Sequence, residues 1–234
     1  MLMKDHFHGE LSMLRRHAFY MCVFLMVSAA LTAQEDGKQQ SGSKAGTFMP
    51  GSFESFNLNG PAKGRPHCLV CSFGLRPSVL VFARDLADGK DDAVNDLLTK
   101  LDEAATEFES RAFSVGVVYL SPDARDSTNN AQEKDAQKII DETIAREKLH
   151  ARLTKQAEKF KNVIVACHPL EGPKKYNLNP KADVTVLFYE RMKISDNWAF
   201  GPGELDAKSV EAIVKKVRET LPLKKKADDK ELKG

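Results

Sequence analysis

Arg76-Pro77-Ser78-Val79-Leu80-Val81-Phe82 is the stretch on which the fold of this chain turns. Val79 to Ala83 is a short, continuous apolar run, the pattern of a strand buried on both faces of an α/β sheet. Just upstream stands His67-Cys68-Leu69-Val70-Cys71, and a Cys-x-x-Cys pair beside such a strand points to thiol chemistry. The pair precedes the strand by several residues; a helix N-terminus there would help to activate a thiol, whereas the apolar, β-prone Leu69-Val70 would put the cysteines on an extended segment.

Downstream the pattern alternates. Ala93, Val94, Leu97, Leu98, Leu101, Ala104, Ala105 and Phe108 recur at helical spacing, and Phe113 to Leu120 reads as a second strand ending at Ser121-Pro122. A polar loop with Asn129-Asn130 leads into a helical stretch from Ala131 to Phe160, interruptible near His150. Asn162 to Cys167 is a third strand, ending at His168-Pro169, and a loop punctuated by Gly172-Pro173 and Pro180 follows. Val184 to Tyr189 and Lys193 to Ala199 form a hairpin across Glu190-Arg191-Met192. Asp206 caps a last helix that carries Val210, Ile213, Val214, Val217 and Leu221 on one face and stops at Pro222. Right-handed crossovers make the early strands parallel and place helices on both faces of a mixed sheet.

The ends of the 234-residue chain differ from this middle. Arg15, Arg16 and His17 precede an apolar run from Ala18 to Leu31 that closes on small residues, the layout of a secretory signal peptide over residues 1–33. The run is short for a bilayer span, which needs about 20 apolar residues. No integral membrane segment is expected after cleavage, and the destination is exported, periplasmic or extracellular. Residues 34–50 read as a flexible linker, 51–222 as one domain and 223–234 as a disordered charged tail. The net charge of +2, with acids and bases interspersed, gives no indication of a nucleic-acid groove. Cleavage removes Cys22 and leaves Cys68, Cys71 and Cys167, an odd number in an oxidising compartment.

The element order, together with Ser55-Phe56-Asn57-Leu58-Asn59-Gly60 leading into Arg76 to Phe82, resembles the thioredoxin-like superfamily, in particular its peroxiredoxin and TlpA branch. Tyr176-Asn177-Leu178 followed by Val184-Thr185-Val186-Leu187-Phe188-Tyr189 is similar to a later segment of that family. The resemblance covers residues 53 to 221 and implies a mixed sheet flanked by helices on both faces, with disulfide or thiol proteins as partners. Two departures stand out. The family places its redox cysteine after the first core strand, where this chain continues Ala83-Arg84-Asp85-Leu86-Ala87-Asp88. It also places a cis-proline before the next antiparallel strand, where this chain has Val184 before Thr185, and a non-proline cis bond is strongly disfavoured.

The remaining chemistry centres on Cys68 as nucleophile and Cys71 as resolving thiol, with no cofactor, in thiol-disulfide exchange or redox sensing. A protonated His67 beside Cys68 would lower that thiol's pKa. The alternatives are a structural disulfide in a non-enzymatic binding module, or a zinc or copper site drawn from His67, Cys68, Cys71, Cys167 and His168. The metal set needs the strand to have ended before His168, because adjacent residues in a strand face opposite ways. Covalent haem is disfavoured by Ser72 after the pair. Arg84 and Asp85, at the end of a parallel strand, read as ligand binders, or as a surface ion pair or helix cap. Gly201-Pro202-Gly203 reads as a turn, Trp198 and Phe200 as core or rim packing, and His150 as a solvated helix residue.

Overall fold

The computed structural model describes residues 40–84, 92–125 and 134–221. The proposed signal peptide, Asp85, the Asn129-Asn130 loop and the C-terminal tail lie outside the described residues. In chain order the elements are β1 (Ser55–Asn57), β2 (Arg65–His67), α1 (Leu69–Phe73), β3 (Ser78–Arg84), α2 (Asp92–Glu107), β4 (Ser114–Ser121), α3 (Ala136–Ala157), β5 (Val163–Pro169), β6 (Val184–Glu190), β7 (Lys193–Phe200) and α4 (Ala207–Thr220).

The seven strands form one sheet in the order β2-β1-β5-β4-β3-β6-β7. β3, β4 and β5 run parallel, with Val79 beside Val115 and Val115 beside Val163. β6 is antiparallel to β3 and β7 antiparallel to β6. At the other end β1 is antiparallel to both β5 and β2, so β2 points the same way as the central strands. The continuous apolar runs of β3 and β4 follow from their central position, where both faces are covered.

One face carries α2, α3 and α4. Val94, Leu97, Leu98 and Leu101 of α2, Leu149 and Leu153 of α3, and Val210, Ile213 and Val217 of α4 are buried against Val79, Val117, Val165 and Val186. Asp135 caps α3 by accepting from the amides of Gln137 and Lys138, and the helix runs unbroken past His150, which corrects the expected interruption. Asp206 caps α4 as its sequence predicts, accepting from the Ser209 amide at 2.8 Å.

The opposite face has only the single-turn-and-a-half α1, helped by Met49, Tyr176 and the partly buried Phe53. Residues 40–50, expected to be a free linker, are instead tied to this domain. Asn197 Nδ2 donates to the carbonyls of Ser41 and Ser43, Gly46 N donates to Ile194 O at 2.8 Å, and Met49 N donates to Met192 O at 2.7 Å. Polar composition concealed this, because the strap is held by backbone groups along the β7 edge, which would otherwise be left unpaired.

Candidate functional site

β2 leads directly into the cysteine pair. Cys68 is the N-cap of α1, with extended backbone, and its Sγ accepts from the Cys71 amide at 3.1 Å. Cys68 and Cys71 form a disulfide with their Cα atoms 5.3 Å apart, within the usual range. The pair therefore opens a helix at the end of a strand, which decides between the helix N-terminus and the extended segment that Leu69-Val70 left open. Burial decides the matter: Leu69, Val70 and Phe73 are all buried, and a helical turn is what lets all three face the sheet. They fit because β4 has Gly116 beneath them. A Cβ there would lie 3.0 Å from Phe73 Cζ and 3.1 Å from Leu69 Cδ1. Gly74, with φ of 57°, ends the helix and donates its N–H to Val70 O.

The two sulfurs differ in access. Cys71 is exposed, whereas Cys68 is partly buried against the α1-side core. The His67 ring is engaged by Ser72: its Nε2 lies 2.7 Å from Ser72 Oγ, which also donates to Cys68 O. Arg76 closes the turn by donating to the carbonyls of Ser72 and Phe73. This is a frame of polar contacts around the disulfide, positioning the turn and leaving the Cys71 sulfur accessible.

The five candidate metal ligands do not converge. β5 continues through Pro169, so Cys167 and His168 face opposite ways. Cys167 is buried on the three-helix face, in register with Phe56, while His168 stands on the α1 side against Phe53. Cys68 is on the α1 side as well, so the sheet itself separates it from Cys167. Among the described residues no group of three or more His, Cys, Asp or Glu side chains is placed to share an ion.

At the end of β3, the position the resemblance singles out, Arg84 is committed to backbone carbonyls. Its guanidinium donates to the carbonyls of Ala182 at 3.0 Å, Leu170 at 3.2 Å and Asn179 at 3.3 Å, while its amide donates to Asp183 O. It fastens the segment before β6 over the sheet edge. Trp198 and Phe200 pack against the three-helix core as expected. His150 is half-buried and only partly solvated: its ring stacks on Phe56 with centroids 4.1 Å apart, and desolvation lowers its pKa below the ordinary histidine value. Sequence spacing could not show this contact, because Phe56 arrives from a distant strand.

The parallel β3-α2-β4 unit, followed through β5 by the antiparallel pair β6-β7 and α4, defines a thioredoxin-like α/β fold. No protein-family model and no curated protein matches the sequence. Solved structures do match. An uncharacterized conserved protein from Geobacillus kaustophilus aligns at 14% identity with a TM-score of 0.45, covering 80% of this chain and 87% of its own. The yeast mitochondrial 1-Cys peroxiredoxin aligns at 12% identity with a TM-score of 0.43, over 76% and 75% of the two chains. The exposed lipoprotein thioredoxin Etrx1 of Streptococcus pneumoniae aligns at 15% identity with a TM-score of 0.40, over 71% and 99%. No helix among the described residues is long and apolar enough to cross a membrane.

Proposed function

We propose that this chain is an exported thiol-disulfide exchange protein, acting on thiol- or disulfide-containing proteins through Cys68 and Cys71. The observation that carries the reading is the asymmetry of the pair: an exposed Cys71 joined to a partly buried Cys68 whose sulfur already accepts a backbone N–H. That asymmetry supports the reverse of the roles expected from sequence. An incoming substrate thiolate attacks Cys71 Sγ, forming a mixed disulfide and breaking the Cys68–Cys71 bond. The electron pair leaves on Cys68 as a thiolate, which the Cys71 amide stabilises. A second thiolate of the same substrate then attacks its own sulfur in the mixed disulfide and expels Cys71. The substrate dithiol is oxidised, the protein pair is reduced, and the two thiol protons go to Cys68 and Cys71 directly or through solvent. The electrons move between sulfurs, so no further cofactor enters. Export rests on the layout of Arg15 to Ala33.

The test combines alkylation with turnover. In the reduced protein, peptide mapping after limiting iodoacetamide is expected to show Cys71 modified at least about tenfold faster than Cys68 from their difference in access. Catalysed reduction of insulin disulfides by dithiothreitol is expected to disappear in Cys71→Ser. If Cys68→Ser and Cys71→Ser lower the melting temperature while the wild type shows no turnover above the uncatalysed rate, the disulfide is a staple that holds α1 on the sheet, and the exchange reading falls.

A further inference from the structure

Outside the carboxyl ends of β4 and β5 the α1 side of the sheet opens into a cleft of about 660 Å³. Open α/β sheets place ligands at such edges, and the volume is that of a small-molecule site. Its apolar side is aromatic. Half-buried Phe53 packs against Tyr176 with centroids 5.0 Å apart and rings at 73°, and against Phe82 at 5.7 Å. The Tyr176 hydroxyl is committed to Gly51 O at 2.7 Å, so this residue offers the cleft only its ring. Burial raises its pKa and keeps the phenol neutral. The His168 ring stands edge-on to Phe53 at 6.1 Å. Its Nδ1 lies 3.0 Å from Pro169 O, and a carbonyl can only accept, so Nδ1 is the donor of that contact.

The polar rim is cationic. Among the described residues Glu171 is the one carboxylate lining the cleft, and it is paired with Arg125. Lys174 and Lys175, on the short 3₁₀ turn above Tyr176, are exposed and have no carboxylate partner among the described residues. Aromatic rings and two exposed lysines lining one cleft select for charge and flatness together.

We infer that the cleft binds a small aromatic carboxylate, its ring against Phe53 and His168 and its carboxylate toward Lys174 and Lys175. Aromatic rings prefer the offset and edge-on geometries that Phe53 and His168 present, and an exposed carboxylate gains from each lysine without a buried-charge penalty. The site stands on the same face and the same edge of the sheet as the disulfide. One residue on from the Phe56–Cys167 register, Ser55 links His67 on β2 to His168 on β5, two strand spacings or about 10 Å apart. Binding does not depend on thiol exchange, and Cys71→Ser is expected to leave it unchanged.

The experiment is a titration of the full domain with 2-naphthoate, read by calorimetry and by amide shifts in two-dimensional NMR, with 2-naphthamide and cyclohexanecarboxylate as comparators. Saturable binding of 2-naphthoate that shifts resonances of Phe53, His168 and Lys174 to Tyr176 is expected, with both comparators at least about tenfold weaker. Lys174→Gln with Lys175→Gln, both on exposed positions that cannot affect folding greatly, is expected to weaken 2-naphthoate about tenfold. Phe53→Leu, with its melting temperature checked, is expected to weaken it about fivefold. The inference is overturned if 2-naphthoate does not saturate, if the amide binds as well as the acid, if the saturated ring binds as well as the flat one, or if the shifts map elsewhere.

Discussion

Replacing Gly116 by valine probes the contact that lets the cysteine-bearing helix lie on the sheet. The new Cβ would sit 3.0 Å from Phe73 Cζ and 3.1 Å from Phe73 Cε2 and Leu69 Cδ1, before its two methyl groups are counted. Phe73 and Leu69 are buried, so neither side chain can swing into solvent without giving up its core position. Overpacking of this kind costs about 1–3 kcal/mol, and the better strand propensity of valine returns up to about 1 kcal/mol. The net expectation is a loss of about 1–2 kcal/mol, or about 2–8 °C in melting temperature for a domain of this size. Alanine at the same position requires only that the ends of two side chains give by a few tenths of an ångström. It recovers about 0.4–1 kcal/mol by restricting the unfolded chain, so Gly116→Ala is expected to be near neutral.

The assay is paired. Thermal unfolding of the oxidised protein gives the stability change, and the rate of disulfide reduction by dithiothreitol reports on α1. Valine is expected to raise that rate severalfold, because the displaced Leu69 and Phe73 carry the turn away from the sheet, whereas alanine leaves it unchanged. A Gly116→Val protein with wild-type melting temperature and wild-type reduction rate would refute the claim that Gly116 seats the helix.

Three other perturbations test the frame around the site. His150 is held neutral by burial against Phe56, so its folded pKa lies below the unfolded value of about 6.5. The unfolded state then binds more protons in that window: the stability is full above pH 6.5 and is lost as pH falls through the folded pKa. His150→Phe is expected to keep the stack and flatten the fall in melting temperature between pH 7 and pH 5, read by scanning calorimetry across that range. Asp102 on α2 accepts from the amides of Lys161, Asn162 and Val163 at the entry to β5, and Asp102→Ala is expected to cost about 2–3 kcal/mol in urea unfolding. Arg84→Met strips donors from three carbonyls and is expected to cost about 2–3 kcal/mol without lowering insulin reduction, since Arg84 is not part of the disulfide turn.

Elements whose burial follows their own periodicity could be read from the sequence. Val79 to Ala83, the stripe from Val94 to Ala105 and the capped helix after Asp206 all fall where spacing puts them. Three features that depend on a distant partner could not. Leu69-Val70 favours a strand by local preference and is helical because Gly116, on another strand, leaves room for Leu69 and Phe73. His150 is polar on a charged helix and becomes buried only when Phe56 on β1 is laid over it. The strap at residues 40–50 is mostly polar apart from Met49, which is buried, and much of its attachment runs through amides and carbonyls that every sequence possesses. For the site, the disulfide partners follow from spacing, but their access does not: which sulfur faces water depends on how α1 settles on the sheet.

That settling also resolves the apparent misplacement of Cys68 and Cys71. In sequence they come before β3, where the resemblance expects a cysteine only after it. In space β1 turns the chain back, so that β2 runs in the same direction as β5, β4 and β3. Cys68 thus follows the carboxyl end of a strand and opens a helix, four strand spacings or about 19 Å from the end of β3 along the same edge. The helix it opens lies on the face opposite α2, so the thiol pair and the end of β3 share an edge without sharing a face. Arg84 then fills the central position by donating to backbone carbonyls, and the exposed Cys71 and the cleft beyond β5 lie farther out along this edge.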